Sequence, residues 1–356
     1  MKRRNILEVI CSSAIAWPQI SDAQQTRAPS APTVPAQVPA AVPLLASFLP
    51  GVNLAVGEFN EETKNGGTLW TDYGYPDAAE IDYYAGKGFR LVRIPFLAKR
   101  VLSANHKPTA DMDALSKLID HANHRRMAVV LDMHDYGMSR SGKLIGRDAG
   151  ATREFAACWA AIAARIKDKR NVTLGLMNEP HDQTASEWLS GANAAIRAIR
   201  SAGAGQLLLV PGSYWDGAWK WTEEDNHTVM LGVIDPLGNY AYEAHQYFDA
   251  DGSGNPENPV IAGSGTSRPK PFTEWLRANG KKGFIGEFGF TSSPAYLAEA
   301  DAFLKHLAEN RDVYIGFAVW AGGPWWGDYP FSVRPDLAAV PVVDKPQMRV
   351  LAKYLG

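Results

Sequence analysis

The sequence predicts an α/β fold, a single (β/α)8 (TIM) barrel, and three observations carry that expectation. From about Phe48 onward, eight short apolar runs of strand length recur, each bounded by loop-forming residues. Amphipathic helical patterns separate them, as in a parallel sheet whose strands are joined by crossover helices. The C-terminal end of every run carries a chemically able side chain, which is where such a barrel builds its active site.

In chain order, the first strand is expected over Gly51 to Ala55, with Glu58 just beyond it. The second runs from Arg90 to Pro95 and holds Arg93; the third, Met127 to His134, ends on His134. The fourth, Val172 to Asn178, delivers Glu179, and the fifth, Gln206 to Pro211, leads to Ser213, Tyr214 and Trp215. The sixth, Tyr240 to Tyr247, carries His245 and Tyr247; the seventh, Gly283 to Glu287, ends on Glu287; the eighth, Tyr314 to Trp320, ends on Trp320. Helical patterns fall at Ala78 to Lys87, Asp111 to His124, Thr152 to Lys169, Ser186 to Ser201, Phe272 to Asn279 and Ala295 to Asn310. An open doubly wound sheet is the structural rival. It would show a phosphate-cradling glycine loop after its first strand, and Gly51 to Gly57 has neither G-x-G-x-x-G nor a P-loop.

Composition narrows the partners. The 356 residues are 46% hydrophobic and 21% charged, enough apolar material for a large core. A formal net charge of -2, with no basic run beyond Lys2-Arg3-Arg4, argues against nucleic acid and against anionic membrane and points to a neutral ligand. The 11 Trp and 13 Tyr supply flat apolar rings that stack on sugars as readily as they fill cores. Residues 1–23 have the pattern of a secretory signal, with a basic start, an apolar stretch from Ile6 to Ile20 and the small-residue site Ser21-Asp22-Ala23. The protein is therefore expected to be secreted, extracellular or periplasmic. That stretch is too short and too interrupted to remain as a membrane span. Residues 24–45 read as an extended linker, with Pro29, Pro32, Pro35, Pro39 and Pro43 among small and apolar residues. Residues 46–356 form the one catalytic domain, expected to act as a monomer. Removal of the signal takes Cys11 and leaves Cys158, which cannot form an internal disulfide and reads as a small buried apolar residue.

Glu179 in Asn178-Glu179-Pro180 and Glu287 in Gly286-Glu287-Phe288-Gly289 each stand at the tip of an apolar run. Taken singly, each is as readily an ordinary loop acid; two carboxyls facing one cleft are what glycosidic-bond hydrolysis needs. The strand-end set contains no Ser-His-Asp order, no Cys-His pair and no two histidines at zinc-binding spacing, so acyl-enzyme and metal-water hydrolysis have little support.

The stretches GVNLAVGEF, GFRLVRIPF, VVLDMHDYG, LGLMNEPH, YEAHQYFDADGSG, WLRANGKKGFIGEFG and VYIGFAVWAGGPWWGDY follow one another at barrel spacing. Over residues 48–356 the chain resembles glycoside hydrolase family 5, in particular its bacterial and fungal endo-β-1,4-glucanases. The resemblance implies that Glu179 is the general acid/base and Glu287 the nucleophile of a retaining mechanism, with carboxyls about 5–5.5 Å apart. It implies that Arg93 lies beside Glu287 and keeps it ionised, that Tyr247 donates to the same carboxylate, and that Asn178 binds the 2-hydroxyl of the sugar being cleaved. His134 and His245 would bind sugar hydroxyls or tune the carboxyls, Trp320 would floor the cleavage subsite, and Trp215 and Trp325 would be stacking platforms. No cofactor and no metal are implied, and the partner is a β-glucan polysaccharide. The same frame also serves mannanases, xyloglucanases and mixed-linkage glucanases, and a non-catalytic carbohydrate-binding protein is the reading from a different class.

Two departures stand out. Asp135 occupies a place where relatives often have Asn, adding a negative charge near the cleft. The cysteines of fungal relatives are absent, so their disulfides do not carry over. The loop from Asp249 to Gly254 imitates the opening of a calcium loop, but the twelfth position is Val260, so tight turns are the expectation there.

Overall fold

Successive side chains of a strand point to opposite faces of a sheet, and in this chain both faces are buried, so each strand must satisfy two environments. The computed structural model describes residues 47–63 and 66–356. The expected signal and linker, residues 1–45, lie outside the described residues. Eight strands follow in order: β1 (Leu49–Leu54), β2 (Leu91–Phe96), β3 (Ala128–Met133), β4 (Val172–Gly175), β5 (Leu207–Pro211), β6 (Tyr240–His245), β7 (Gly283–Phe288) and β8 (Tyr314–Gly322). Each pairs in parallel with its sequence neighbour and β8 closes on β1, so the sheet is the expected closed barrel.

On the inner face Leu91, Val130, Leu209, Ala241 and Phe284 form an apolar cluster separate from the main core. Two residues further along the same strands the inner face turns polar: Leu91 leads to Arg93, Val130 to Asp132 and His134, and Ala241 to Glu243 and His245. All five of these polar residues are buried. The barrel is thus plugged by hydrocarbon below and carries a charged layer above, toward the C-terminal strand ends.

The outer face is covered by helices Ala78–Lys87, Ala110–His124, Ala149–Ile166, Ala185–Ser201, Lys270–Ala278 and Pro294–Glu309. Trp159, Trp188 and Phe303 from these helices pack with Leu174, Val210 and Phe288 of the strands in one core, each such burial stabilising by roughly 1.5–3 kcal/mol. Local sequence sets the helix starts. Asp77 accepts from Glu80 N, Asp148 from Ala151 N, and Thr184 and Glu187 form a reciprocal capping box. The Asp148 cap is why the third of these helices begins at Ala149, ahead of the expected Thr152. Cys158, on that helix, is buried, and burial pushes its thiol up to about 12, in keeping with a small apolar role.

β4 is shorter than its apolar run. It ends at Gly175, yet Leu176 N still donates to Leu209 O at 3.0 Å and Asn178 N to Met133 O at 2.8 Å. The backbone therefore keeps its course until the residue before Glu179.

Candidate active site

Arg93 is the hub of the charged layer. Fully buried, it donates from Nη1 to Glu287 Oε1 (2.8 Å) and Asn53 Oδ1 (2.9 Å), from Nη2 to Asn178 Oδ1 (2.9 Å), and from Nε to Glu243 Oε1 (3.2 Å). Nη2 also pairs with Asp132 Oδ1 at 3.1 Å. Burial alone would lower the guanidinium, but Asp132, Glu243 and Glu287 outweigh it and raise it. One planar cation thus positions the nucleophile candidate and the amide expected to hold the 2-hydroxyl, a task for which the fork of arginine is suited and lysine is not.

Glu287 is aimed by a bulge. Ala244 pairs with Ile285 but His245 pairs with Glu287, so Gly286 is the extra residue on β7. The displaced carbonyl of Gly286 accepts from Asn53 Nδ2 at 2.9 Å, so the irregularity leaves no orphan there. Only glycine fits: a Cβ at 286 would lie 2.1 Å from Glu243 Oε1 and 2.9 Å from His245 Nε2. The second oxygen of Glu287 accepts from Tyr247 Oη at 3.0 Å. Tyr247 is in turn packed by Gly254 (φ +73°), where a side chain would meet its ring at 3.0 Å. Burial pushes the Glu287 carboxyl above its ordinary value and His245 and Arg93 offset this only in part; a donor on each oxygen favours the ionised form that a nucleophile needs.

Glu179 follows β4 with a left-handed backbone (φ +43°) and a side chain 16% exposed, against 6% for Glu287. Its Oε1 accepts from His245 Nδ1 at 2.8 Å, and that nitrogen lies 3.6 Å from Glu287 Oε2. One imidazole nitrogen thus lies between an oxygen of each acid, which brings the two carboxyls to the same point of the cleft. Burial lowers His245, but Asp216 and Glu287 outweigh it and hold the imidazole well above its ordinary value.

His134 Nδ1 contacts Asp132 Oδ2 at 2.6 Å, and its ring stacks on Trp320 at 5.8 Å with an interplanar angle of 19°. Both line a hollow of about 680 Å³ together with Glu58, Tyr136 and Trp326. A second hollow, about 510 Å³, is lined by Glu179, His245, Trp215 and Trp219. Trp215 is 52% exposed and stacks on His181 at 3.5 Å and 6°. Trp325 is also exposed but stands edge-on to Trp70 at 6.5 Å and does not line either hollow; its neighbour Trp326 does. Trp221 is fully buried in the core. Asp135 accepts from Ala98 N at 2.8 Å and so anchors backbone, and burial pushes it up to about 6. The loop at Asp249 is a pair of tight turns in which that carboxylate accepts from Ser253 N and Gly254 N.

Sequence reading passed over Asn53, Asp132, Glu243 and Asp216, and gave Glu58 a place but no role. For Asp132 and Glu243 the signal was available: each is an acid inside an apolar strand, two residues before a strand-end histidine, hence on the same face. Glu58 is buried, and among the described residues neither of its oxygens has a hydrogen-bond partner; burial pushes it up to about 7 against the pull of His134.

Comparison with known proteins agrees with this geometry. The family model described as cellulase, glycosyl hydrolase family 5, matches residues 52–323. Endo-beta-1,4-glucanase B of Emericella nidulans is 37% identical over 290 residues, covering 80% of this chain and 85% of the relative. The protein of the same name from Aspergillus niger is 35% identical over 288 residues, covering 80% and 84%. Among solved structures, XacCel5A in complex with cellopentaose superimposes with a TM-score of 0.81 at 38% identity, covering 87% of this chain and 99% of that one. Pseudomonas stutzeri endoglucanase Cel5A in complex with cellobiose gives a TM-score of 0.78 at 33% identity, covering 86% and 92%. A closed barrel with its acids on the fourth and seventh strands, matched over four-fifths of its length, places the chain in glycoside hydrolase family 5.

Proposed function

We propose that the protein is a retaining endo-β-1,4-glucanase that hydrolyses internal bonds of cellulose-like β-glucans by double displacement. The observation that carries this reading is the asymmetric pair: Glu287 held by Arg93 and Tyr247 through both oxygens, and the more exposed Glu179 held by His245 through one. Glu287 attacks the anomeric carbon while Glu179 gives its proton to the leaving oxygen; Glu179 then takes a proton from the water that releases the glycosyl-enzyme. Asn178, held by Arg93, binds the 2-hydroxyl in this reading. Aromatic residues line both hollows, Trp320 and Trp326 in one and Trp215 and Trp219 beside Glu179 in the other, which supports binding of a sugar chain. The names of the family 5 relatives favour β-1,4-glucan over mannan or xyloglucan. The chemistry calls for no cofactor. Export rests on residues 1–23 alone, and a mature N-terminus near Gln24 is its check.

The test is reducing-sugar release from carboxymethyl cellulose, mixed-linkage β-glucan, mannan and xyloglucan by the wild type, Glu179→Gln and Glu287→Gln, with the product anomer followed by proton NMR. Both variants should lose at least ~10²-fold, and the first product should be the β anomer. An α anomer, or near wild-type hydrolysis by either variant, would overturn the assignment.

A further inference from the structure

Three chain segments distant in sequence bring donor atoms of Glu179, Asp216 and His245 within 4.8 Å of one another. Glu179 comes from the end of β4, Asp216 from the turn after β5 and His245 from β6. His245 Nδ1 lies 2.8 Å from Glu179 Oε1 and 3.4 Å from Asp216 Oδ1. A tetrahedral zinc ion bound at about 2.0–2.2 Å keeps its ligands about 3.4 Å apart, so Asp216 and His245 already stand at coordination spacing, while Glu179 and His245, hydrogen-bonded at 2.8 Å, must part slightly to admit the ion. Glu287 Oε2, 3.6 Å from the same nitrogen, is the next donor outward.

Asp216 supplies the second, independent observation. It is completely buried, and among the described residues neither of its oxygens has a hydrogen-bond partner, although buried carboxyls ordinarily find donors. It is directed at the site: its nearest cationic neighbour is His245 Nδ1, which is already turned to Glu179. Entry is available through the hollow that Glu179 and His245 line. One imidazole and two carboxylates form a borderline donor set that suits Zn²⁺ or Cu²⁺, whereas Mg²⁺ and Ca²⁺ prefer oxygen alone. Behind the imidazole, Glu243 Oε1 lies 3.9 Å from Nε2, beyond hydrogen-bond distance.

We propose that Glu179, Asp216 and His245 form an inhibitory site for a borderline divalent cation, Zn²⁺ or Cu²⁺, and that filling it withdraws Glu179 from proton transfer. The inhibition rests on the reading of Glu179 as acid/base; the metal site does not. As the ion binds, the Nδ1 proton of His245 and any proton held by the Asp216 and Glu179 carboxyls leave to solvent, and no other bond changes.

The experiment uses the full chain, stripped with a chelator, in calorimetric titrations with ZnCl₂, CuCl₂ and MgCl₂ alone. The proteins compared are the wild type, Asp216→Asn, His245→Gln and, as a distant control, His121→Gln, whose imidazole pairs with Asp82 on the surface. The expected result is one Zn²⁺ or Cu²⁺ per chain and no Mg²⁺, affinity at least ~10-fold weaker in Asp216→Asn, the control unchanged, and hydrolysis falling in step with occupancy. Electron paramagnetic resonance of the Cu²⁺ form should show coupling to one nitrogen that His245→Gln removes, a readout that holds whether or not the variants remain active. No saturable binding, or binding indifferent to Asp216→Asn in a folded protein, overturns the site. Undiminished hydrolysis by a chain whose site is full overturns the inhibition, and the activity of metal-free Glu179→Gln shows separately whether the acid/base assignment has failed.

Discussion

Replacing Glu58 with Gln keeps the volume of the side chain and removes its titration. In the folded protein burial raises this carboxyl from an ordinary 4.5 to about 7; His134 opposes the rise, and Glu287 and Asp132 add to it. A folded value above the unfolded one means the native state holds this proton more tightly. The wild type therefore carries no penalty below the unfolded value, loses stability as pH rises through the window between the two values, and bears the whole penalty above about 7. The shift corresponds to about 3 kcal/mol. The glutamine variant escapes that penalty, so its stability relative to wild type should climb by about 3 kcal/mol between about pH 4 and about pH 8. Urea unfolding of both proteins at several pH values measures the difference directly. A gap that stays flat across that window would refute the reasoning, because it would mean that Glu58 ionises as a solvated acid and is not held away from water beside His134.

Three further outcomes follow from contacts already described. Arg93→Met leaves Asp132, Glu243 and Glu287 buried around a vanished cation and should cost about 3–5 kcal/mol in urea unfolding; a loss under 1 kcal/mol would mean those acids are not charged together. Tyr247→Phe removes one charged hydrogen bond from Glu287, about 1.5–3 kcal/mol, and should lower kcat/KM roughly 10- to 100-fold with the thermal midpoint little changed. Gly286→Ala drives a methyl into Glu243 and His245 and should destabilise the fold by at least about 1–3 kcal/mol, read as a lower urea midpoint or failure to accumulate as soluble protein.

Much of this site was legible because a barrel converts strand order into position. Once eight runs are counted, Glu179 and Glu287 fall on the fourth and seventh strands and must face one mouth, and Arg93, His134, His245 and Tyr247 stand with them. What stayed hidden needed a register or a turn. The bulge that aims Glu287 is a one-residue slip between β6 and β7, and nothing in Gly286 by itself says that Asn53 will collect its carbonyl. Asp216 looks like a loop acid between two tryptophans, but three successive left-handed residues, Tyr214, Trp215 and Asp216, turn the indole outward and the carboxyl inward. At Trp325-Trp326 the pair in sequence does not say which ring lines which surface: Trp326 lines the hollow beside Trp320, while Trp325 is exposed and edge-on to Trp70.

The charged layer makes sense as a problem of matching donors to acids. Arg93, His134 and His245 face Asp132, Glu243, Glu287, Glu179, Asp216 and Glu58, so the cations are too few to neutralise every acid in its ionised form. Contact decides the order in which protons are kept. Burial raises Asp132, but Arg93 and His134 touch it and hold it below the ordinary range. Among the described residues Glu58 and Asp216 have no donor, and both are raised, Asp216 well above the usual carboxylate range, by burial above all. Glu287 lies between, buried but held by Arg93 and Tyr247. A donor on each oxygen, which Glu58 and Asp216 lack among the described residues, favours the ionised form of Glu287, and an added cation is drawn to those two acids. Asp216 is the one of these that shares a donor point with Glu179, which is why the same arrangement that supports acid/base chemistry also exposes it to a divalent ion.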